Sequence, residues 1–532
     1  MSDIKKQNDK EIHIGCCSHG EHEERNGSGM SRRGFLGGIT GTAVMGGLAL
    51  SSTASAVSGA GQKAVSAGGG LPVGKALRIK PVLLYQILKP VKYASWRHYG
   101  GVSTQEAVQK EAKIIEKELK DLAAKAEFPV EVLPVALVDN EQKAQEAAGA
   151  DGDVLLLYPA GGWQIYKLAE SETPKVMFLR QKSEHHYLWF EIAHWRFLRK
   201  NGDTFEEKNM DVDDIVVDDY DEILWRLRGL YGLKNAKGTK MLAIGGLAAY
   251  SEPAQKFGPA HAKDVWGYEF EIMSEADFAK HLAKARADEN VMKAVEKQTK
   301  ELLALPNITL ATERKFVVNT FLIWRVCKEL MAKTGATNLG FAHCMRQEVI
   351  KMLDTPPCMV LSLANDEGYT AYCHTDLSHT LPGVLLRWIA NKPTFVCNSH
   401  FPHDGTFTVA HCAAPRRMNG RDYEPAKIMT HFESDYGAAT KVQYTKGQIL
   451  TVIIPNLRIT KWQGFRGKVI DSPSNPACRS QIDMEIDGDC RMLLTEMQGF
   501  HTQVCYGDYL REVGYALKTL GKLEWQNFSE RA

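Results

Sequence analysis

The sequence predicts an α/β protein, with two parallel-sheet α/β domains followed by a β-rich C-terminal domain. Three observations support this. Apolar strands alternate with amphipathic helical stretches from residue 77 to about 160, the same alternation restarts at Lys240, and after Phe395 the texture changes to short strands and turns.

The first segment is set aside from the fold. Ser31-Arg32-Arg33-Gly34-Phe35-Leu36 precedes an apolar run from Ile39 to Leu50 and then Ala54-Ser55-Ala56, which reads as a twin-arginine signal peptide over residues 1–56. The run falls short of the ~20 apolar residues that span a bilayer, so no stable membrane insertion is expected after cleavage. The expected location is periplasmic or otherwise extracytoplasmic, with the twin-arginine export machinery as a partner. Residues 57–75, rich in Gly, Ala and Ser, read as a flexible linker.

The domains are then expected over 76–232, 233–392 and 393–532. In the first, Pro81–Tyr85 is a buried strand and Ser103-Thr104-Gln105-Glu106 opens a helix. In that helix Val108, Ala112, Ile115, Leu119, Leu122 and Ala126 make one apolar stripe. Strands are expected at Val130–Val135 and Val154–Tyr158, with a helical stretch between them. The acidic run Asp203–Glu222 reads as a solvated connection between domains, because its carboxylates lack the spacing of a calcium loop. Lys240–Gly246 opens the second unit, and its Gly245-Gly246 pair lacks the rest of a dinucleotide fingerprint. Helices are expected over 275–304, 312–335 and Leu377–Ala390, with a strand at Met359–Leu363. Ile449–Ile454 is a strand of the last domain, and Tyr509–Leu520 its closing helix.

Charge and cysteine usage narrow the function. The 65 basic and 64 acidic side chains leave a net charge of +1, which provides no field for nucleic acid or an anionic membrane and suits a small neutral ligand. Two of the 11 cysteines, Cys16 and Cys17, lie in the signal peptide, so nine remain, all between Cys327 and Cys505. An odd number cannot pair fully within one chain.

Polar chemistry concentrates at the ends of the predicted strands. It runs from Asn365-Asp366-Glu367-Gly368 through Tyr372-Cys373-His374-Thr375-Asp376 to Phe395-Val396-Cys397-Asn398. It returns at Ala410-His411-Cys412, His431-Phe432-Glu433, Cys478-Arg479, His501 and Tyr506-Gly507-Asp508. In this order, and with Ser95-Trp96-Arg97 earlier, the motifs resemble those of the L-fucose isomerase family over residues 77 to 528, and more loosely the L-arabinose isomerases.

The resemblance implies two α/β domains and a β-rich domain, an open-chain sugar as ligand, a homo-oligomer and a divalent manganese. It also implies that Trp96, Arg97 and His431 face substrate. Family members hold the metal with a glutamate, an aspartate about two dozen residues further on, and a C-terminal histidine. Those positions correspond here to His374, Asn398 and His501. Both carboxylates are thus replaced, and imidazoles with an amide oxygen suit zinc or another transition metal better than manganese. Asn398 cannot accept a proton, which leaves His374, Asp376 and Glu433 as the candidate catalytic groups, with Glu367 on the preceding turn.

Each of these residues has a second reading. Asp376 is either an acid–base group or the N-cap of the helix at Leu377. Glu433 is either catalytic or a structural hydrogen-bond partner, and His411 and His431 are either ligands or core histidines. Trp96 and Arg97 hold either a polyol or each other. Cys373, Cys397 and Cys412 read as buried packing residues, since no C-x-x-C pair marks a metal or redox centre. The functional readings are a carbohydrate-active isomerase-like enzyme, a non-catalytic carbohydrate-binding protein of the same fold, or a cysteine-dependent protein.

Overall fold

The computed structural model describes residues 65–66, 70–97, 102–183, 185–191, 197–198 and 209–529. The expected signal peptide and most of the expected linker lie outside the described residues. Three main sheets follow one another within one compact unit, Lys63–Ala532, in the α/β, α/β, β order expected.

The first sheet is parallel throughout. Leu77–Leu84 is flanked on one side by Val154–Pro159, Lys175–Leu179 and Ile215–Val217, and on the other by Val130–Val132 and Ala136–Val138. The helix Gln105–Lys125 starts where Thr104 accepts the Ala107 N–H, and it buries Val108, Ala112, Ile115, Leu119 and Leu122. The described part of the acidic run, residues 209–222, is not simply a solvated connection. Ile215–Val217 is a strand of this sheet, Asp219 caps the helix Tyr220–Ala236, and buried Asp214 accepts from Lys518 and Tyr515. Partners hundreds of residues away let Asp214 leave water, while Asp219 and Asp221 stay exposed.

The second sheet, also parallel, has the order Thr370–Cys373, Asn338–Phe341, Lys240–Ile244, Glu269–Met273. Its long N-terminal helical stretch breaks at Asp288, whose side chain caps the second piece, so the helices are Glu275–Ala287 and Glu289–Leu303. Met359–Leu363 lies inside a helix, Cys358–Asp366, and is not a strand. Eight of that helix's nine residues are buried, so no polar face marks its period.

The third sheet closes on itself. Ile449–Pro455, His501–Tyr506, Phe395–Ser399, Thr406–His411, Ser480–Asp487 and Lys461–Asp471 pair antiparallel in that order, and the last pairs back to the first. The result is a six-stranded barrel, which leaves no free edge among these strands. Glu524–Asn527 adds on parallel to Lys461–Asp471.

One helix joins the last two layers. Leu377–Ala390 buries all its residues but Trp388, because the Thr370–Cys373 strand lies on one side and the barrel strand His501–Tyr506 on the other. At Gly383 a Cβ would stand 2.7 Å from Gln503 Nε2 and closer still to the Tyr372 hydroxyl, so only glycine allows this approach. The end of the predicted linker is also fixed to the core. Leu71 is buried, Pro72 O accepts from Arg387, and the Gly74 and Lys75 N–H groups donate to Tyr231 and Asn235. Among the described residues no helix is long and apolar enough to cross a membrane.

Candidate functional site

Parallel strands deliver their carboxyl ends to one edge of a sheet, where α/β proteins collect ligand-binding groups. In the second sheet three neighbouring strands end in left-handed residues: Gly245 and Gly246 at φ 83° and 104°, His343 at 49° and His374 at 60°. A histidine in that region is strained, so its surroundings hold it there. Part of the restraint is Gly340, where an added Cβ would stand 2.6 Å from the His374 carbonyl oxygen. Thr375 Oγ1 accepts the Ala248 N–H at 2.7 Å and donates to Gly246 O, tying two of the strand ends together.

Two groups of donor atoms sit at this edge. In the first, a carboxylate oxygen of Asp376 and ring nitrogens of His379 and His501 all lie within 4.8 Å of one another, and all three residues are buried. Asp376 caps the Leu377–Ala390 helix through the Ser378 N–H at 2.8 Å, and its other oxygen accepts the Tyr250 N–H at 3.0 Å. His379, one turn into the helix, faces the barrel and packs edge-on to His501 with ring centres 4.9 Å apart. Its Nε2 lies 3.0 Å from Cys373 O. A carbonyl only accepts, so Nε2 carries the proton and Nδ1 keeps a bare lone pair, the arrangement typical of metal-binding histidines.

That lone pair has no protein partner. His379 Nδ1, His501 Nδ1 and Asn398 Oδ1 are all buried without a hydrogen bond. Asn398 and His501 stand directly opposite each other on adjacent barrel strands. Burial, with the neighbouring imidazoles of His379, His411 and His374, holds His501 well below the ordinary histidine range. Burial likewise lowers His379, and the nearby Asp376 carboxylate only partly offsets this. Burial pushes His411 down to about 4, and its Nδ1 accepts the Ala413 N–H. The centre is therefore a set of neutral imidazoles with lone pairs available near neutral pH.

In the second group, Cys344 Sγ, Cys373 Sγ and a His374 ring nitrogen lie within 4.8 Å of one another. The two sulfurs are 3.1 Å apart. The hydrogen bond from Cys373 pulls the Cys344 thiol below its ordinary range, against burial. Nearby, Cys412 is lowered by hydrogen bonds from Cys478 and His431, again against burial, and it receives the Arg479 N–H at 3.4 Å. Burial opposes the charged form of His431, but Cys412 raises its pKa above the ordinary value.

The other predicted residues are placed as follows. Glu433 is exposed beside His431, whose Nδ1 accepts the Ser434 N–H. Glu367 does not turn toward the cleft, because Trp324 and Lys328 donate to its two oxygens. The Arg97 guanidinium lies 5.5 Å over the Trp96 ring, and among the described residues no hydrogen bond or ring contact joins this pair to the histidines. A cleft of about 690 Å³ opens next to the first group, lined by Ser399, His400, Phe401, Met497, Phe500 and neighbours. Phe500 stacks against His501 at 4.2 Å, and Tyr250 packs edge-on against both.

Sequence reasoning missed His379 and Cys344. The spacing Asp376-x-x-His379 at a helix start was the available signal for the first, since i and i+3 share a face. Only a strand pairing brings Cys344 to Cys373. As for a metal, two imidazoles with lone pairs, an amide oxygen and a carboxylate fit zinc, nickel, copper or ferrous iron better than the manganese that the family resemblance implies.

Comparison with known protein families finds no match for the chain, and comparison with curated proteins finds none. Among solved structures, the substrate-binding protein of a sugar ABC transport system from Bordetella parapertussis 12822 is similar at 15% identity. The match covers 54% of this chain and 74% of that one with a TM-score of 0.14, too low to carry an argument.

Proposed function

We propose that this is an exported protein of the sugar-isomerase type that takes a carbohydrate at the carboxyl edge of its second sheet, against the His379–His501 centre. One observation carries the reading. Three buried polar atoms without protein partners, His379 Nδ1, His501 Nδ1 and Asn398 Oδ1, belong to neighbouring side chains, His379 packing edge-on to His501 and Asn398 standing opposite His501 in the barrel. A buried polar atom left unsatisfied costs about 1–3 kcal/mol, so such a group persists where a ligand satisfies it.

Hydroxyl groups of a polyol match this set, because each can donate its O–H to a lone pair. The Tyr250 and Phe500 rings beside His501 supply the apolar face against which a sugar ring or chain packs. A transition-metal ion, when bound, would be held by His379 and His501 with Asn398 or Asp376, and would supply Lewis-acid polarisation of a carbonyl or hydroxyl. Cys373 O fixes the tautomer of His379, and the low pKa values keep both imidazoles neutral.

The second reading, a carbohydrate-binding protein without turnover, is favoured by Asn398 and Asp376. Asn398 cannot move a proton, and both oxygens of Asp376 are engaged by backbone N–H groups. Calorimetric titration with a panel of aldoses and ketoses, with product analysis, tests both. Binding that His379→Ala, His501→Ala and Asn398→Ala abolish supports the centre. Interconversion of sugars then selects the enzyme, and its absence the binding protein. If no sugar binds, or if the three variants bind as well as wild type, the proposal fails. Export and assembly belong to the same reading, and N-terminal sequencing of secreted protein and sedimentation analysis check cleavage after Ala56 and the homo-oligomer.

A further inference from the structure

The thiol group at the strand ends is a separate matter from the carbohydrate centre. Cys344 follows the strand Asn338–Phe341, and Cys373 ends its parallel neighbour Thr370–Cys373, so their side chains meet across adjacent strands 29 residues apart in sequence. Both are buried in the core of the second sheet, while His374 beside them is only half-buried. A thiol is a weak hydrogen-bonding group and gains little from another thiol. Two sulfurs and an imidazole nitrogen, however, are the donor set of zinc-class cations.

The distances decide the matter. In a tetrahedral zinc site, with Zn–S about 2.3 Å and Zn–N about 2.0 Å, neighbouring donor atoms stand about 3.3–3.8 Å apart. Here the sulfurs are 3.1 Å apart, and all three donors lie within 4.8 Å of one another. Small side-chain adjustments therefore bring them around one ion. The left-handed turn at His374, held against Gly340, sets the imidazole beside the thiols.

We propose that Cys344, Cys373 and His374 bind a thiophilic divalent cation of the zinc class. Three protein ligands leave a fourth position, and the half-buried His374 side is where a water or a ligand oxygen reaches it. The neighbouring Cys412, Cys478 and His431 form the polar wall behind the site. Cys373 belongs to both centres, since its sulfur holds the ion and its carbonyl orients His379. The proposal does not depend on the carbohydrate reading.

The test uses the full chain, purified under reductant, stripped with a chelator and titrated with Co²⁺. The expected result is one equivalent that carries the sulfur-to-metal charge-transfer absorption of thiolate ligation, whether or not the histidine centre takes a second ion. Cys344→Ser and Cys373→Ser should each reduce that absorption and weaken binding by more than the roughly 10–100-fold that outer-shell changes cost, and the double variant should lose the absorption altogether. Cys490→Ser, in the helix Cys490–Glu496 packed against the barrel core, should change neither. His501→Ala keeps the absorption whatever becomes of sugar binding, so the two proposals fail separately. X-ray absorption of zinc-loaded wild type, which needs no variant, should show sulfur neighbours at about 2.3 Å. Only nitrogen and oxygen neighbours, no thiolate absorption from reduced wild type, or a Cys344–Cys373 disulfide persisting under reductant would overturn it.

Discussion

Two buried polar clusters in this molecule differ in a way that separates structural groups from functional ones. In the first sheet, Arg180 donates to Glu111 at 2.6 Å and to both oxygens of Glu118, while His185 Nδ1 and the Tyr187 hydroxyl contact Glu111, and Tyr220 donates to Glu118. None of these atoms is without a partner. At the edge of the second sheet, buried His379 and His501 and half-buried Asn398 each keep an inaccessible atom with nothing to bond. Burial alone does not distinguish the clusters. Satisfaction does, because a closed network is complete within the chain and an open one takes a partner from outside it, a ligand or a water.

The largest expected effect tests the closed network. Arg180→Met strands Glu111 and Glu118 without their cation and should cost about 3–5 kcal/mol in urea denaturation, with ligand binding by the folded fraction unchanged. A loss under about 1 kcal/mol would break the comparison. Acid should act on the open side. His411 has a folded pKa of about 4, below its unfolded value, so the unfolded chain binds the proton first. Its contribution is present above pH ~6.5 and is lost as pH falls through about 4, amounting to about 3 kcal/mol. Burial of His379 and His501 has the same sign. Denaturation from pH 7 to pH 4 should show this loss, and His411→Asn should flatten it.

Gly340→Ala sharpens the comparison by pressing on one cluster only. The added methyl group meets His374 O and Thr375, so a cost of about 1–3 kcal/mol is expected together with weaker ligand binding. Unchanged binding would show that the turn at His374 does not position the centre. The smallest effect is the most telling. Asn398→Leu removes an unsatisfied oxygen, so stability should stay within about 1 kcal/mol of wild type or rise, while sugar binding is lost. A large destabilisation would mean that Asn398 is structural.

Much of the fold was legible because one side of an element meets water. The stripe Val108 to Leu122 shows its period against Lys and Glu, and the Gln105–Lys125 helix follows. Cys358–Asp366 has no such contrast, which is why its helix reads as a strand. The acidic run was misread because Asp214 is held by Lys518 and Tyr515, partners more than 300 residues away. The site divides in the same way. Asn398 and His501 could be matched by spacing and order, and they stand opposite each other in the barrel. His379 looks like any core residue of an apolar helix. Cys344 gains its meaning only from a strand neighbour, which no local pattern reports.

The clasp at Leu71–Lys75 bears on how the chain is made. Arg387, nearly inaccessible to water, donates to Pro72 O across 315 residues and to Gly368 O beside it. Translation is directional, so the amino-terminal end of this clasp leaves the ribosome long before its anchor exists. Tyr231 and Asn235 can take the Gly74 and Lys75 N–H groups earlier, but Pro72 must wait for its partner until the Leu377–Ala390 helix has been synthesised. A recombinant version that begins after Lys75 would complete synthesis with the guanidinium short of an acceptor, so a stable shortened protein should begin upstream of Leu71.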